Sequence, residues 1–185
     1  MNHKLTTKKL VLTALLAALT WVGSALRITI PLDLGGTTSF HLGNILCALS
    51  GILLGPWLGG LAAGLGSMLY DLFNPLYLSE CWMTFLMKLA YGLAAGLVAR
   101  SGSGHWDYGK ALLGTACGAA SYAALYLCKS YYYSGLLVKG LEPEAALLTV
   151  IGKLPATIFN AVVAVVLAPV LAIAIRKALG RQRLL

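Results

Sequence analysis

Apolar residues fill this chain in long runs, and short polar segments separate one run from the next. From residue 40 to residue 70 no Lys, Arg, Asp or Glu occurs. At a rise of about 1.5 Å per residue this stretch is too long for one crossing of a hydrocarbon layer of about 30 Å. Gly55-Pro56 divides it, because Gly readily ends a helix and Pro suits the first turn of the next. The pattern therefore predicts two helices here, 40–54 and 57–73.

Charged or Gly/Pro-containing segments end the other apolar runs. The main breaks are the loop 27–39, the pair Asn74-Pro75 and the Gly-rich segment 101–108. The predicted spans are 7–26, 40–54, 57–73, 81–99, 111–133 and 145–175. The sequence thus predicts an all-α integral membrane protein in which residues 1–185 form a single domain, a compact bundle of six transmembrane helices.

Composition supports this class. The chain is 59% hydrophobic and 11% charged, which excludes an ordinary soluble domain. The net charge of +8 comes from basic residues that flank apolar runs. Orientation in a membrane and contact with lipid headgroups explain such residues better than nucleic acid does. No small-residue cleavage site follows the first apolar run, so we expect it to be a retained helix.

The basic residues also predict the orientation. Nine of the fourteen Lys and Arg residues lie at the amino terminus, in the central loop or in the carboxyl tail. They are Lys4, Lys8, Lys9, Arg100, Lys110, Arg176, Lys177, Arg181 and Arg183. Because positive charge concentrates in cytoplasmic segments, we expect both termini to be cytoplasmic.

Three lysines fall inside apolar runs, where a charge is costly and usually functional. Lys88 and Lys153 lie deep in the fourth and sixth spans, while Lys129 is shallow enough to reach the headgroups by snorkelling. A structural ion pair between Lys88 and Asp71 is an alternative interpretation. Together with nearby uncharged polar groups, the lysines predict an outward-facing pocket for a polar small molecule. The candidate ligand-binding residues are Lys88, Lys153, Asn160, Asn44, His41, Asp71, Asn74, Trp82 and Lys129.

Small residues recur four positions apart and lie on one face of a helix. The glycine pairs in spans three to five predict close packing within the chain. Ala14 and Ala18, extended by Ala25, form a smooth stripe on the first helix. Such a stripe suits either internal packing or the docking of another protein.

The sequence contains none of the common catalytic, nucleotide-binding or metal-binding motifs. We therefore expect no enzymatic activity, no cofactor and no metal ion. If the protein is a transporter, another subunit must supply its energy.

The chain resembles the substrate-binding S components of energy-coupling factor (ECF) vitamin transporters. The resemblance rests on the segment Phe40-His41-Leu42-Gly43-Asn44 and on LLGPWLGGLAAGLGSMLYDL at 53–72. It continues through Asn74-Pro75, the segment 84–88 and the pair Gly92 and Gly96, and covers most of the chain.

The resemblance implies a subunit of a prokaryotic plasma membrane that binds a vitamin from outside. Its partners would be a transmembrane coupling protein and two cytoplasmic ATPases, with the alanine stripe as the docking face. The riboflavin-type branch looks most similar. Riboflavin binders carry an Asn and a Lys three positions apart on the last helix, whereas here Lys153 precedes Asn160 by seven. Three lysines facing one pocket favour a ligand with a carboxylate or phosphate, such as pantothenate.

Two other functions stay open at the level of the sequence. A small membrane scaffold would use its glycines only for packing and would pair its lysines. An intramembrane enzyme is less well supported, because no nucleophile and base stand together in the sequence.

Overall fold

The computed structural model describes residues 6–32, 37–102 and 105–181, and most of this chain is helical. Its α-helices are α1 Thr7–Ala25, α2 Gly43–Leu54, α3 Pro56–Leu72, α4 Cys81–Ala99, α5 Tyr108–Cys128 and α6 Pro143–Arg181. A 3-10 helix, Leu78–Glu80, leads into α4, and a π-helix, Lys129–Val138, continues α5. Each predicted helix is therefore present. Lys4 and Arg183, two of the basic residues on which the predicted orientation rests, lie outside the described residues. Segment 33–36 of the predicted loop lies outside them as well.

The loop predicted at 27–39 contains a β-hairpin, which the sequence pattern did not predict, although most of the described chain is helical. Strand β1, Arg27–Pro31, pairs antiparallel with β2, Thr37–His41, and Arg27 lies opposite His41. The β-branched Ile and Thr residues of these segments favour extended backbone. Because β2 includes Phe40 and His41, the second helix begins at Gly43 and not at residue 40.

Helix α2 is the central helix of the bundle. It packs against α1, α3, α4, α5 and α6, and nearly all its residues are buried. Its 12 residues span about 18 Å at the usual helical rise. A helix so short is accommodated because protein, and not lipid, surrounds it.

Four helical segments of the described chain are long and apolar enough to cross a membrane. They are Thr7–Ala25, Leu78–Ala99, Tyr108–Val138 and Pro143–Ala178. Both α2 and α3, with 12 and 17 residues, are shorter than a full span. The structure therefore fits a multi-pass membrane protein, and the number of six crossings stays a prediction.

Close backbone contacts hold α2, α3 and α4 together. A methyl group added at Gly92 would lie 2.7 Å from the Cα of Gly60, which shows that α3 and α4 touch through their glycines. Gly55 has a φ of 86° and Pro56 begins α3, as the division of the long apolar run predicted. The glycines therefore serve packing within the chain.

The two ends of the bundle differ. At one end the guanidinium of Arg100 donates hydrogen bonds to the carbonyl oxygens of Ile52 and Leu53. These bonds satisfy carbonyls that the end of α2 leaves without helical partners. The β-hairpin and the π-helix meet at the opposite end, where the chain encloses a cavity.

Candidate functional site

A cavity of about 270 Å³ lies beneath the hairpin, between the adjoining ends of the helices. Its wall is formed by the hairpin, the carboxyl ends of α1 and α3, the amino ends of α2 and α4, the end of α5, the π-helix and the first half of α6. Five cationic and two acidic side chains line it. They are Arg27, Lys88, Lys129, Lys139, Lys153, Asp71 and Glu80. The described wall thus carries an excess of positive charge.

The structure brings seven of the nine candidate ligand-binding residues to this cavity. They are His41, Asn44, Asp71, Lys88, Lys129, Lys153 and Asn160. Asn74 and Trp82 lie outside the described lining. The Asn74 side chain donates to the Tyr70 hydroxyl at 2.9 Å and accepts from the Leu76 N–H at 3.1 Å, so it stabilises a turn. Trp82 is half exposed and packs edge-on against Tyr133.

Lys88 is almost completely buried, with 3% of its surface exposed. Its ammonium donates to the side-chain oxygen of Asn44 and lies 3.7 Å from the centroid of the Tyr122 ring. Among the described residues it forms no ion pair, so the alternative pairing with Asp71 was wrong. Neutral groups hold this cation in place without cancelling its charge.

Lys153 is held in a similar way on α6. It is 7% exposed, and its ammonium donates to the Ser130 hydroxyl at 3.0 Å. The same nitrogen lies 5.3 Å from the centroid of the Tyr126 ring. This second buried cation therefore also has an uncharged hydrogen-bond acceptor.

Lys129 is paired within the protein. It forms an ion pair with Glu80, which also accepts a hydrogen bond of 3.0 Å from the Ser134 hydroxyl. Glu80 belongs to the 3-10 helix, 49 positions before Lys129 in the chain. Nothing in the local sequence links the two residues, so sequence reasoning missed the pair.

A row of tyrosines forms an aromatic wall that sequence reasoning also missed. The rings of Tyr91, Tyr122 and Tyr126 stack with successive centroids 5.8 Å apart. Tyr122 and Tyr126 line the cavity. Their spacing of four positions in an apolar helix was the signal available in the sequence. The lining of the cavity therefore offers a ligand both the charges of the lysines and the faces of the tyrosine rings.

Asn160 fastens the hairpin to α6. Its side-chain oxygen accepts from the His41 backbone N–H at 3.0 Å, and its amide donates to the Ser39 carbonyl at 2.7 Å. The oxygen and the nitrogen of the Asn160 side-chain amide are thus both hydrogen-bonded to the backbone of β2. Asn160 therefore positions the roof of the cavity.

Arg27 fastens the opposite strand of the hairpin. Its guanidinium lies 4.0 Å from the ring centroid of Tyr70 and 5.0 Å from that of Tyr77. The Tyr77 hydroxyl is also 3.2 Å from the Thr37 hydroxyl. The hairpin is therefore tied to α3 and to the segment that follows it.

His41 presents an unused polar atom in the roof. Its Nδ1 is buried and has no hydrogen-bond partner among the described residues. Burial, reinforced by the positive charges of Lys88 and Arg27, holds the pKa of His41 well below its usual value. The ring is therefore neutral at pH 7, and Nδ1 is available to a ligand. Within the described chain no three His, Cys, Asp or Glu side chains converge as a metal site.

The alanine stripe lies on the outer surface of α1, and none of its three residues is part of the cavity lining. Ala14, Ala18 and Ala25 are all exposed. The other face of α1, which includes Leu16 and Ala17, is buried against the bundle. Internal packing thus uses the opposite face of the helix and leaves the stripe uncovered.

Comparison with known proteins relates the chain to a described family and to a protein of Pyrococcus woesei. The model of the family described as "ECF-type riboflavin transporter, S component" matches residues 4–177. A protein of Pyrococcus woesei, described as "Uncharacterized protein in gap 3'region", is 32% identical over 118 residues. That alignment covers 64% of this chain and 74% of the relative.

Proposed function

Because the chain belongs to the S-component family of ECF-type riboflavin transporters, we propose that it binds a water-soluble vitamin in the cavity beneath the hairpin. It would carry this vitamin across the plasma membrane of a prokaryote as the substrate-specific subunit of an importer. The proposed vitamin is riboflavin or a pantothenate-like molecule. The family is a substrate-binding component of a transporter and not an enzyme.

The observation that carries the proposal is the cavity itself. It is polar, it contains the buried cations Lys88 and Lys153, and tyrosine rings form part of its wall. Charged side chains buried among apolar helices are expensive and usually mark a functional site. A bundle that only packed its helices would gain nothing from an interior of this kind.

The proposed topology places the hairpin outside and both termini in the cytoplasm, with six crossings. Lys8, Lys9, Arg100 and Lys110 then lie on the cytoplasmic side, in agreement with the positive-inside rule. A vitamin enters the cavity from outside, next to the hairpin.

The proposed partners are a transmembrane coupling protein and two cytoplasmic ATPases that drive transport. The exposed stripe Ala14, Ala18 and Ala25 is the proposed docking face for the coupling protein. Its small side chains allow the backbones of two helices to approach closely inside the membrane.

A thermal-unfolding experiment tests the vitamin-binding function. The purified protein in detergent is heated with each member of a panel of water-soluble vitamins. We expect one vitamin to raise the unfolding temperature, because a ligand at 100 times its dissociation constant stabilises the folded state by about 2.7 kcal/mol. If no vitamin shifts the transition, the proposal is wrong and a scaffold role is favoured.

A further inference from the structure

The carboxylate of Glu80 contacts two residues that lie five positions apart in the chain. One of its oxygens forms the ion pair with Lys129, and the other accepts from the Ser134 hydroxyl at 3.0 Å. In an α-helix, residues five apart point about 140° away from each other. A carboxylate that faces Lys129 would then lie on the wrong side of the helix for the short side chain of Ser134. The two contacts of Glu80 therefore require a different helical register.

The π-helix Lys129–Val138 provides that register. The hydrogen bonds of a π-helix join residue i to residue i+5. The bond of 3.3 Å from the Lys139 N–H to the Ser134 carbonyl has this spacing at the end of the segment. Residues five apart are thus one turn apart, which is the relation of residues four apart in an α-helix. Lys129 and Ser134 consequently face Glu80 together.

Packing against α6 follows the same spacing of five. Ser130 and Gly135 are the buried residues of the π-helix. A β-carbon added at Gly135 would lie 3.0 Å from the β-carbon of Ala146, so α6 approaches closely at this point. In an α-register the residue one turn after Ser130 would be Ser134, and its side chain would crowd α6. The glycine and the π-register therefore suit each other.

The register also determines what this segment contributes to the cavity. Ser134 and Gly135 belong to the lining. Ser130 is not part of the described lining, but it is fully buried and accepts a hydrogen bond from Lys153, which does line the cavity. Because π-helices are rare and mostly limited to single turns, ten residues in this form depend on contacts with the rest of the protein.

From this arrangement we infer that Glu80 is a positioning residue of the binding site. By accepting from both Lys129 and Ser134, it keeps the end of α5 in the π-register. That register holds Ser134 in the cavity wall and keeps Ser130 against the ammonium of Lys153. Glu80 thus acts through these residues and not through contact with the substrate. The inference rests on the proposed function, because it assigns Glu80 a role at the vitamin site.

A pair of histidines on the exposed side of the π-helix reports the register directly. Tyr132 and Leu137 are exposed and five apart. Tyr132→His combined with Leu137→His places two imidazoles one turn apart in the π-register but about 140° apart in an α-register. Two histidines one turn apart on a helix can share one metal ion, and imidazole is a good ligand of Ni²⁺. We expect the purified double variant to bind Ni²⁺ at least about tenfold more tightly than either single variant, a difference of about 1.4 kcal/mol. Equal binding by the single and double variants would contradict the π-register and overturn the inference.

Substitutions in this double-histidine background test the role of Glu80. Glu80→Ala should reduce the Ni²⁺ affinity to that of the single-histidine variants. Glu80→Gln should retain it, because the amide oxygen can accept from Lys129 and the amide N–H can donate to the Ser134 hydroxyl. Ser134→Ala leaves the ion pair in place and should also lower the affinity, which keeps the test valid if Glu80→Ala does not fold. Ni²⁺ binding that survives in the Ala variants, or that is lost equally in Glu80→Gln, overturns the inference.

Vitamin binding shows whether the register matters to the site. Equilibrium binding of riboflavin and of pantothenate is measured for variants without the added histidines. For the vitamin that binds the wild type, we expect Glu80→Ala to weaken binding about tenfold, or about 1.4 kcal/mol, and Glu80→Gln to restore most of this loss. Glu144→Ala removes a carboxylate from the first turn of α6 and is the matched control, which should bind like the wild type.

The outcomes separate this inference from the proposed function. Unchanged vitamin binding by Glu80→Ala, or an equal loss in Glu144→Ala, overturns the positioning role and leaves the vitamin-binding function intact. If neither vitamin binds the wild type, the positioning role at their site is overturned as well. The thermal-unfolding panel of vitamins then decides the proposed function separately.

Discussion

Single residues at the cavity are held by partners that the sequence does not reveal. Lys88 contacts Asn44, 44 positions away, and Lys153 contacts Ser130, 23 positions away. Position in an apolar run was enough to identify the lysines as buried polar sites. Their partners depend on how the helices pack, so local sequence could not identify them. The same reason explains why the bond between Asn160 and the hairpin was not foreseen.

The role of Asn160 leads to a prediction about stability. Asn160→Ala leaves the His41 N–H and the Ser39 carbonyl without their partner. Because each unpaired buried group costs about 1–3 kcal/mol, we expect the free energy of unfolding in detergent to fall by at least about 1 kcal/mol. Proteolytic cleavage within the hairpin should also become faster, since the tie to α6 is lost.

A neighbouring variant provides the control for this effect. Val162→Ala changes an exposed side chain on the same helix, two positions beyond Asn160. It should alter neither the unfolding free energy nor the cleavage of the hairpin. Equal stability of the two variants would show that the hydrogen bonds of Asn160 do not fasten the hairpin.

At the scale of elements, the helices were predictable and the two irregular segments were not. Apolar runs with Gly55-Pro56 and Asn74-Pro75 as breaks give helix bounds close to those observed, because these breaks act locally. The hairpin is short and contains Pro31, which made the segment look like a loop. The π-helix has the composition of an ordinary helix, so hydrophobic periodicity does not distinguish it. Yet it is this segment that supplies Lys129 and Ser134 to the cavity.

The exposed face of α1 leads to a prediction about assembly. Ala18→Trp places a large ring on the alanine stripe, where the proposed docking helix must approach closely. We expect this variant to bind the vitamin normally but to lose co-purification with the coupling protein and ATPases. Uptake by cells that express the complete transporter should be abolished.

The same substitution on another helix shows whether the loss of assembly is specific to the alanine stripe. Ala120 on α5 is also an exposed alanine, so Ala120→Trp adds the same ring to a different surface. This variant should assemble and transport like the wild type. Normal assembly of Ala18→Trp, or equal loss in both variants, would exclude α1 as the specific docking face.

The whole molecule is asymmetric in charge as well as in structure. One end of the bundle carries Lys8, Lys9, Arg100 and Lys110, at the ends of α1, α4 and α5. The other end holds the cavity, where Lys129 is paired with Glu80 and further lysines face inward. The positive-inside rule therefore identifies the cytoplasmic end only if the cations that line the cavity are counted separately from the basic residues at the other end. This distinction predicts that the hairpin faces the exterior.

Cysteine labelling in whole cells tests that orientation. In a variant whose four native cysteines are replaced, Thr29→Cys marks the exposed surface of β1, and Ser101→Cys marks the exposed turn after α4. A membrane-impermeant maleimide added to intact cells should label the first and leave the second unlabelled. Ser101→Cys should react only after the membrane is opened, which also serves as the control for its accessibility. The reverse pattern would invert the topology, close the cavity to an external vitamin and contradict uptake through this end of the molecule.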